Sequence, residues 1–333
     1  ALIGHILRVN NMRCQVGGNL GQGVLGFDQM GDGGVYVIET SSYQLELSPS
    51  LTPDIAVLLN ITPDHLARHG GMEGYIAAKK LVFRKGDRPQ IAVICIDDEP
   101  CRLIARDLQA DPHFDVTTIS LKGSQATITV DDGVMAVAPS GIRADLTGNP
   151  AMRGLHNWEN MAAAYAAGCS VGLKRGDVLQ AIETFPGLDH RQQLVATIDG
   201  VAYINDSKAT NADAAEKALS CYHDIYWIVG GQPKEGGLRG LELLMPRVRV
   251  AYLIGDSQHV FAEWMQANGV RHKNCGTLEK AMETIRQDLH LDRPKNAIVL
   301  LSPACASWDQ FKSFEHRGNR FIELVRDLEK AAA

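Results

Sequence analysis

The sequence predicts an α/β fold in two domains. Short apolar runs recur between helix-like stretches, the pattern of a sheet flanked by helices. At 333 residues the chain exceeds what one typical core accommodates. A Phe185-Pro186-Gly187 break interrupts the pattern near its middle. Residues 1–187 and 188–333 are therefore expected to form separate domains.

Composition narrows the function classes. Hydrophobic residues make up 45% and charged residues 22%, the balance of an ordinary globular protein. A net charge of −6 argues against a nucleic-acid or anionic-membrane partner. Seven scattered cysteines without a CxxC pair fit a reducing compartment better than a disulfide scaffold. No apolar run approaches the ~20 residues of a membrane span, and Ala1 to Arg8 reads as a helix rather than a signal peptide. The expectation is a cytoplasmic protein without membrane insertion, and a monomer.

In the first half, strands are expected at Val35–Ile38, Ile55–Leu59 and Ile91–Ile96, with an amphipathic helix over Met72–Arg84. Around Thr117–Ala138 short alternating runs meet an Asp131-Asp132-Gly133 turn, which predicts an antiparallel hairpin insert. A helix is expected from near Asn157 through the alanine-rich Met161–Ala167. In the second half, Ile225–Val229, Val250–Ile254 and Ala297–Leu301 are continuous β-rich runs, as buried parallel strands require. Each ends in small or polar residues, and in open α/β sheets ligands gather at such strand ends.

Several polar segments sit at those ends. Glu39-Thr40-Ser41-Ser42-Tyr43-Gln44-Leu45-Glu46 offers oxygen donors suited to Mg2+, or simply a capped helix start. In Asn60-Ile61-Thr62-Pro63-Asp64-His65, Thr62 and Pro63 read as a helix start. That account leaves His65 as a candidate metal ligand or charge-steadying imidazole, with a second imidazole at His69. Lys79 reads by default as a solvent-facing helix lysine. Asn157 and Asn160 place two amides on one helix face, matching a purine edge, although Asn157 alone would serve as a cap. Leu188-Asp189-His190-Arg191 follows the central break. Asn205-Asp206-Ser207-Lys208-Ala209-Thr210-Asn211 packs acid, hydroxyl, cation and amide into one loop before a helix, more than an N-cap needs. Near the end, Ser307 is expected to open a helix with Trp308, Phe311 and Phe314 as its apolar stripe. Gly17-Gly18-Asn19-Leu20-Gly21-Gln22-Gly23 lacks a strand in the proper GxGxxG frame and is not read as a dinucleotide loop.

Taken in order, the SSYQLE, TPDH, HN..N, NDSKATN and SPACASWDQFKSFE.RG segments resemble the Mur ligase family, in its D-glutamate-adding branch. The resemblance covers essentially the whole chain. It implies a central ATPase-type domain with a mixed or parallel sheet, followed by a Rossmann-like, amino-acid-binding domain. It also implies ATP and Mg2+, and as substrates UDP-N-acetylmuramoyl-L-alanine and D-glutamate, joined through an acyl phosphate. By similarity Glu39 and His65 hold Mg2+ with Ser41 nearby, and Lys79 is the lysine the family carries as a carbamate. Asn19 and Gln44, with Ser41, match the side of the nucleotide-sugar substrate. Asn157 and Asn160 match the adenine-side amides, and Arg191, Asp206 and Lys208 the ATP ribose and phosphates. Thr210, Lys234, Ser307 and Phe314 match the D-glutamate pocket, which Trp308 narrows by standing where a smaller apolar residue is common.

The sequence departs from the pattern in one large respect. The family places a glycine-rich phosphate loop ahead of the helix that begins at Ala1, and no G-x-x-G-K-[ST] pattern occurs here. The resemblance thus implies a natural chain that begins earlier, and weak nucleotide binding with little or no turnover for this one. Ala67 also replaces an acid common in relatives. Two alternatives stand beside the ligase: a non-catalytic binding module derived from it, and a sibling ligase adding another amino acid.

Overall fold

The computed structural model describes residues 1–332 other than 20, 65, 124 and 293. Its contacts cluster into two compact units, Ala1–Phe185 and Pro186–Ala333.

The first unit runs α1 (Leu2–Val9), β1 (Cys14–Gly18), β2 (Val35–Glu39), α2 (Ser42–Leu47), β3 (Ile55–Leu58), α3 (Leu66–His69), α4 (Met72–Lys80), β4 (Gln90–Cys95), α5 (Glu99–Gln109), β5 (Phe114–Ser120), β6 (Ile128–Asp131), β7 (Val134–Val137), β8 (Ile142–Asp145), α6 (Leu155–Ser170) and α7 (Arg175–Glu183). β1 and β2 pair in parallel, and β3 to β8 form a second sheet in chain order. In that sheet β3 to β6 are parallel and β6 to β8 antiparallel. The β6–β7 hairpin closes through Asp132 and Gly133, both at positive φ (44° and 78°), the backbone of a tight twisted turn. Residues 117–120 belong to β5 instead, whose partner β4 lies in parallel, so the insert begins later than expected.

α6 is buried from Met161 to Gly168, and its run of alanines lets it lie close against α1, α7 and β4. Its cap is Gly154. Asn157 is therefore inside the first turn, donating to Arg153 O at 2.8 Å, and does not cap the helix. Thr62 and Pro63 likewise do not open a helix: residues 61–64 carry no regular structure and α3 begins at Leu66. The reason is a distant tether. Asp98 caps α5 through Cys101 N (2.8 Å) and with its other oxygen holds Ile61 N (3.0 Å), drawing that segment toward β4. The Gly17–Gly23 segment does run out of the end of a strand, β1, but only a single 3-10 turn at Val24–Gly26, and no α-helix, comes directly after it.

The second unit runs β9 (Gln193–Ile198), β10 (Val201–Asn205), α8 (Ala212–Cys221), β11 (Ile225–Gly230), β12 (Val248–Ile254), α9 (Gln258–Ala267), β13 (His272–Gly276), α10 (Leu278–Asp292), β14 (Ile298–Leu301) and α11 (Phe314–Ala332). Its sheet has the order β13-β12-β11-β14-β10-β9, parallel except for the β9–β10 hairpin. β14 enters last, between β10 and β11, so the strand order reverses there. The loops after these three strands mark the crevice where such sheets bind ligands. Trp227, Ile225 and Leu300 pack one face, and Tyr226, Tyr252 and Phe321 the other. α11 begins at Phe314, seven residues later than the expected start at Ser307. Trp308 is 66% exposed rather than part of an apolar stripe, while Phe311 is half-buried against the second cluster.

Candidate functional site

In the first unit the β1 and β2 ends bring Asn19 and Glu39 together. Gly18 sits opposite Glu39, where φ is 104° and a Cβ would strike the Glu39 carbonyl, so only glycine allows this approach. Asn19 N donates to Glu39 O at 2.8 Å, and its side-chain amide to the exposed Glu39 carboxylate at 3.3 Å. Directly after, Ser41 and Gln44 form a reciprocal capping box on α2: Gln44 N donates to Ser41 Oγ (3.3 Å) and Ser41 N to Gln44 Oε1 (2.9 Å). The simpler, capping account thus explains both side chains, and leaves Glu39 as an outward carboxylate at the start of the segment.

His65 lies outside the described residues. Lys79 is half-buried on α4, with Nζ 5.4 Å from the Tyr75 ring. Asn160 Nδ2 lies 3.4 Å from Asn157 Oδ1, so the two amides share one face of α6, as expected. Among the described residues no three His, Cys, Asp or Glu side chains converge on one point. A hard cation held by one carboxylate, water and substrate phosphates is compatible with the exposed Glu39.

In the second unit Lys208 Nζ stands 5.5 Å over the Phe314 ring. Thr210 is half-buried, Arg191 and Lys234 are exposed on loops, and Ser307 is buried. Asp206 turns inward: it accepts from Ser302 Oγ at 2.8 Å and Gln192 N at 3.2 Å. Burial pushes its pKa up to about 7, against those bonds and the nearby Arg191. His190 is held at positive φ (61°) with Nδ1 3.0 Å from the Asn205 amide, and burial lowers its pKa. Asn211 alone caps α8, accepting from Ala214 N at 2.9 Å.

Sequence reasoning missed Arg317 and Glu159, and read His69 only as a second imidazole. Arg317, 1% exposed, donates to Ser207 Oγ (3.0 Å), Ser207 O (2.8 Å) and Cys305 O (3.1 Å), tying the loops after β10 and β14 together. Its four-residue spacing from Phe321 puts it on the apolar face of α11, which is a legible signal of a buried cation. Glu159 points toward Cys95 and Asn60, and burial raises its pKa. His69, fully enclosed, joins α2, α3 and α4.

Comparisons agree with this architecture. Residues 24–168 match the Mur ligase middle domain. A UDP-N-acetylmuramoylalanine–D-glutamate ligase of Rhodospirillum rubrum is 53% identical over 98% of this chain and 69% of its own length. The chain belongs to the Mur ligase family. The like-named ligase of Paramagnetospirillum magneticum is 47% identical over 100% of this chain and 72% of its length. Among solved structures, the UDP-N-acetylmuramate–alanine ligase of Thermotoga maritima, itself a Mur ligase, superimposes with a TM-score of 0.68 at 18% identity, covering 98% of this chain and 72% of that one. At that identity the likeness speaks to the fold. No helix among the described residues is long and apolar enough to cross a membrane.

Proposed function

We propose that this chain performs the ATP-dependent addition of D-glutamate to UDP-N-acetylmuramoyl-L-alanine in peptidoglycan precursor synthesis. The observation that carries the reading is the 53% identity to a ligase of that name along nearly the whole chain. The chemistry joins a carboxylate to an amine. Phosphorylation of the carboxylate by ATP creates an acyl phosphate, the amine attacks its carbonyl, and the tetrahedral adduct expels phosphate to leave the amide. Mg2+, when bound, offsets the charge of the crowded phosphates.

The residues divide this labour. Glu39 supplies an exposed carboxylate, with Ser41 beside it and His65 as its partner ligand. Lys79 acts as a carbamate: its neutral Nζ bonds the carbon of CO2, a proton is released, and the side chain becomes an anion that orients the cation. Asn19 and Gln44 face the nucleotide-sugar, and Asn157 and Asn160 the adenine. In the second unit Arg191, Asp206 and Lys208 serve the ribose and phosphates, while Thr210, Lys234, Ser307, Trp308 and Phe314 hold D-glutamate. The two units are read as the ATPase-type domain and the amino-acid-binding domain, with a boundary at residues 187 and 188.

The test is ADP release in the presence of both substrates, ATP and Mg2+, with each component omitted in turn. It is run on this chain and on this chain joined behind a relative's phosphate-loop segment. Release that requires D-glutamate supports the ligase. Binding of ATP and precursor by both proteins, with turnover by neither, overturns it in favour of a non-catalytic binding module.

A further inference from the structure

His69 occupies a position that the reaction above does not use. It closes α3, followed by Gly70 and Gly71 at φ values of 71° and 119°, which turn the chain sharply into α4. Its side chain has no exposed surface. Nε2 is 3.0 Å from Ser42 Oγ, Nδ1 is 3.4 Å from Glu46 Oε1, and the ring lies between those of Tyr43 (5.5 Å) and Tyr75 (5.4 Å). Arg68 neutralises the other side of Glu46 at 3.3 Å.

The spacing gives this arrangement its meaning. Ser42 and Glu46 are four residues apart on α2, and Tyr75 and Lys79 four apart on α4, so each pair shares a helix face. One imidazole therefore bonds to the α2 face and packs against the α4 face. α2 is the helix whose cap, Ser41, follows Glu39, and Tyr75 is the ring over which Lys79 lies. The sequence acid, imidazole and hydroxyl resembles a nucleophilic triad, but Ser42 is 3% exposed and no substrate reaches it.

We infer that His69 is a positioning residue that, through Ser42 and Tyr75, sets α4 and its Lys79 against α2, the helix that follows the Glu39 end of β2. This rests on the proposed role of Lys79. A ring bonded to a buried hydroxyl of α2 and packed against a ring of α4 ties the two helices together. If α4 is held less firmly, Lys79 should be misplaced while D-glutamate binding in the other unit stays unchanged.

The test compares His69→Phe, which keeps the ring packing and loses both polar edges, with Ser42→Ala and the double variant. All are made in the enzyme extended with the phosphate-loop segment. Two readouts are taken: kcat and KM, and the 13C NMR carbamate signal of Lys79 after exposure to 13CO2. The expected result is a loss of about tenfold or more in kcat for His69→Phe, as misplacement of a reacting group predicts. KM for D-glutamate should stay within about twofold, and the carbamate signal should weaken. Ser42→Ala should shift the same two readouts in the same direction, and the double variant should be no worse than His69→Phe alone. Should His69→Phe melt early, Ser42→Ala decides by itself, since it removes a single oxygen.

A parent that turns over, with both single variants matching it in kcat and carbamate signal, overturns the His69 inference alone. A parent that takes up 13CO2 at Lys79 without D-glutamate-dependent ADP release contradicts the proposed reaction instead. The His69 inference is then decided on the carbamate signal, which must fall in the variants for it to stand.

Discussion

Replacing Asp206 by asparagine gives the most quantitative prediction in the second unit. Asp206 is 5% exposed, and burial raises its pKa from 3.8 to about 7 despite hydrogen bonds from Ser302 and Gln192. A raised folded-state pKa means that the native protein retains a proton the unfolded chain has already released. The stability associated with this group is therefore full below the unfolded value and is lost as pH rises through about 7. At about 1.4 kcal/mol per pH unit, tapering near the folded pKa, the loss between pH 5 and pH 8 is roughly 3 kcal/mol. Asparagine is neutral throughout. Its oxygen can still accept from Gln192 N, and the Ser302 hydroxyl can rotate to accept from its amide. The stability advantage of Asp206→Asn over the parent should therefore grow by roughly 3 kcal/mol from pH 5 to pH 8. Urea unfolding at pH 5, 6, 7 and 8, with both proteins in the same buffers, measures this directly. A parent-to-variant difference that stays constant across the series would refute the reasoning.

Three further outcomes are expected. Asn211→Ala removes the side-chain cap of α8 and should cost about 1 kcal/mol in urea unfolding, with no change in m-value. Arg317→Ala strands the carbonyls of Ser207 and Cys305 in a buried site and should cost about 3 kcal/mol or more, read as a lowered melting temperature. Trp308 is an exposed indole in the proposed amino-acid pocket, so its fluorescence should change on titration with D-glutamate in the parent and not in Trp308→Phe.

The sequence revealed most where structure is local. Ile225–Val229, Val250–Ile254 and Ala297–Leu301 are uninterrupted apolar runs, and strands cover nearly all of these residues because burial on both faces leaves no position for a polar side chain. The Asp132-Gly133 turn was equally legible, since its backbone favours these residues. What failed depended on distant partners. Thr62-Pro63 has the chemistry of a helix start, but Asp98 holds Ile61 from another strand end. Ser307 has the chemistry of a cap, yet Arg317 gathers the Cys305 and Ala306 carbonyls and α11 waits until Phe314.

The candidate site divides in the same way. Asn19 with Glu39, Asn157 with Asn160, and Lys208 with Phe314 were all singled out from sequence, and each pair lies together within its unit. Periodicity did not indicate that Asp206 turns inward, because its partners Ser302 and Gln192 come from other segments. His69 gave no readable signal beyond being a histidine, since its meaning comes from Ser42 on one helix and Tyr75 on another.

The central claim is tested most directly by following labelled D-glutamate. The extended enzyme is incubated with UDP-N-acetylmuramoyl-L-alanine, ATP and Mg2+, and with either D- or L-[14C]glutamate, and the nucleotide-linked product is separated and counted. The account predicts label in the product from the D isomer alone, matched by ADP formed, and none when ATP is withheld. Equal incorporation of both isomers, or none from either while ATP and precursor still bind, would contradict it.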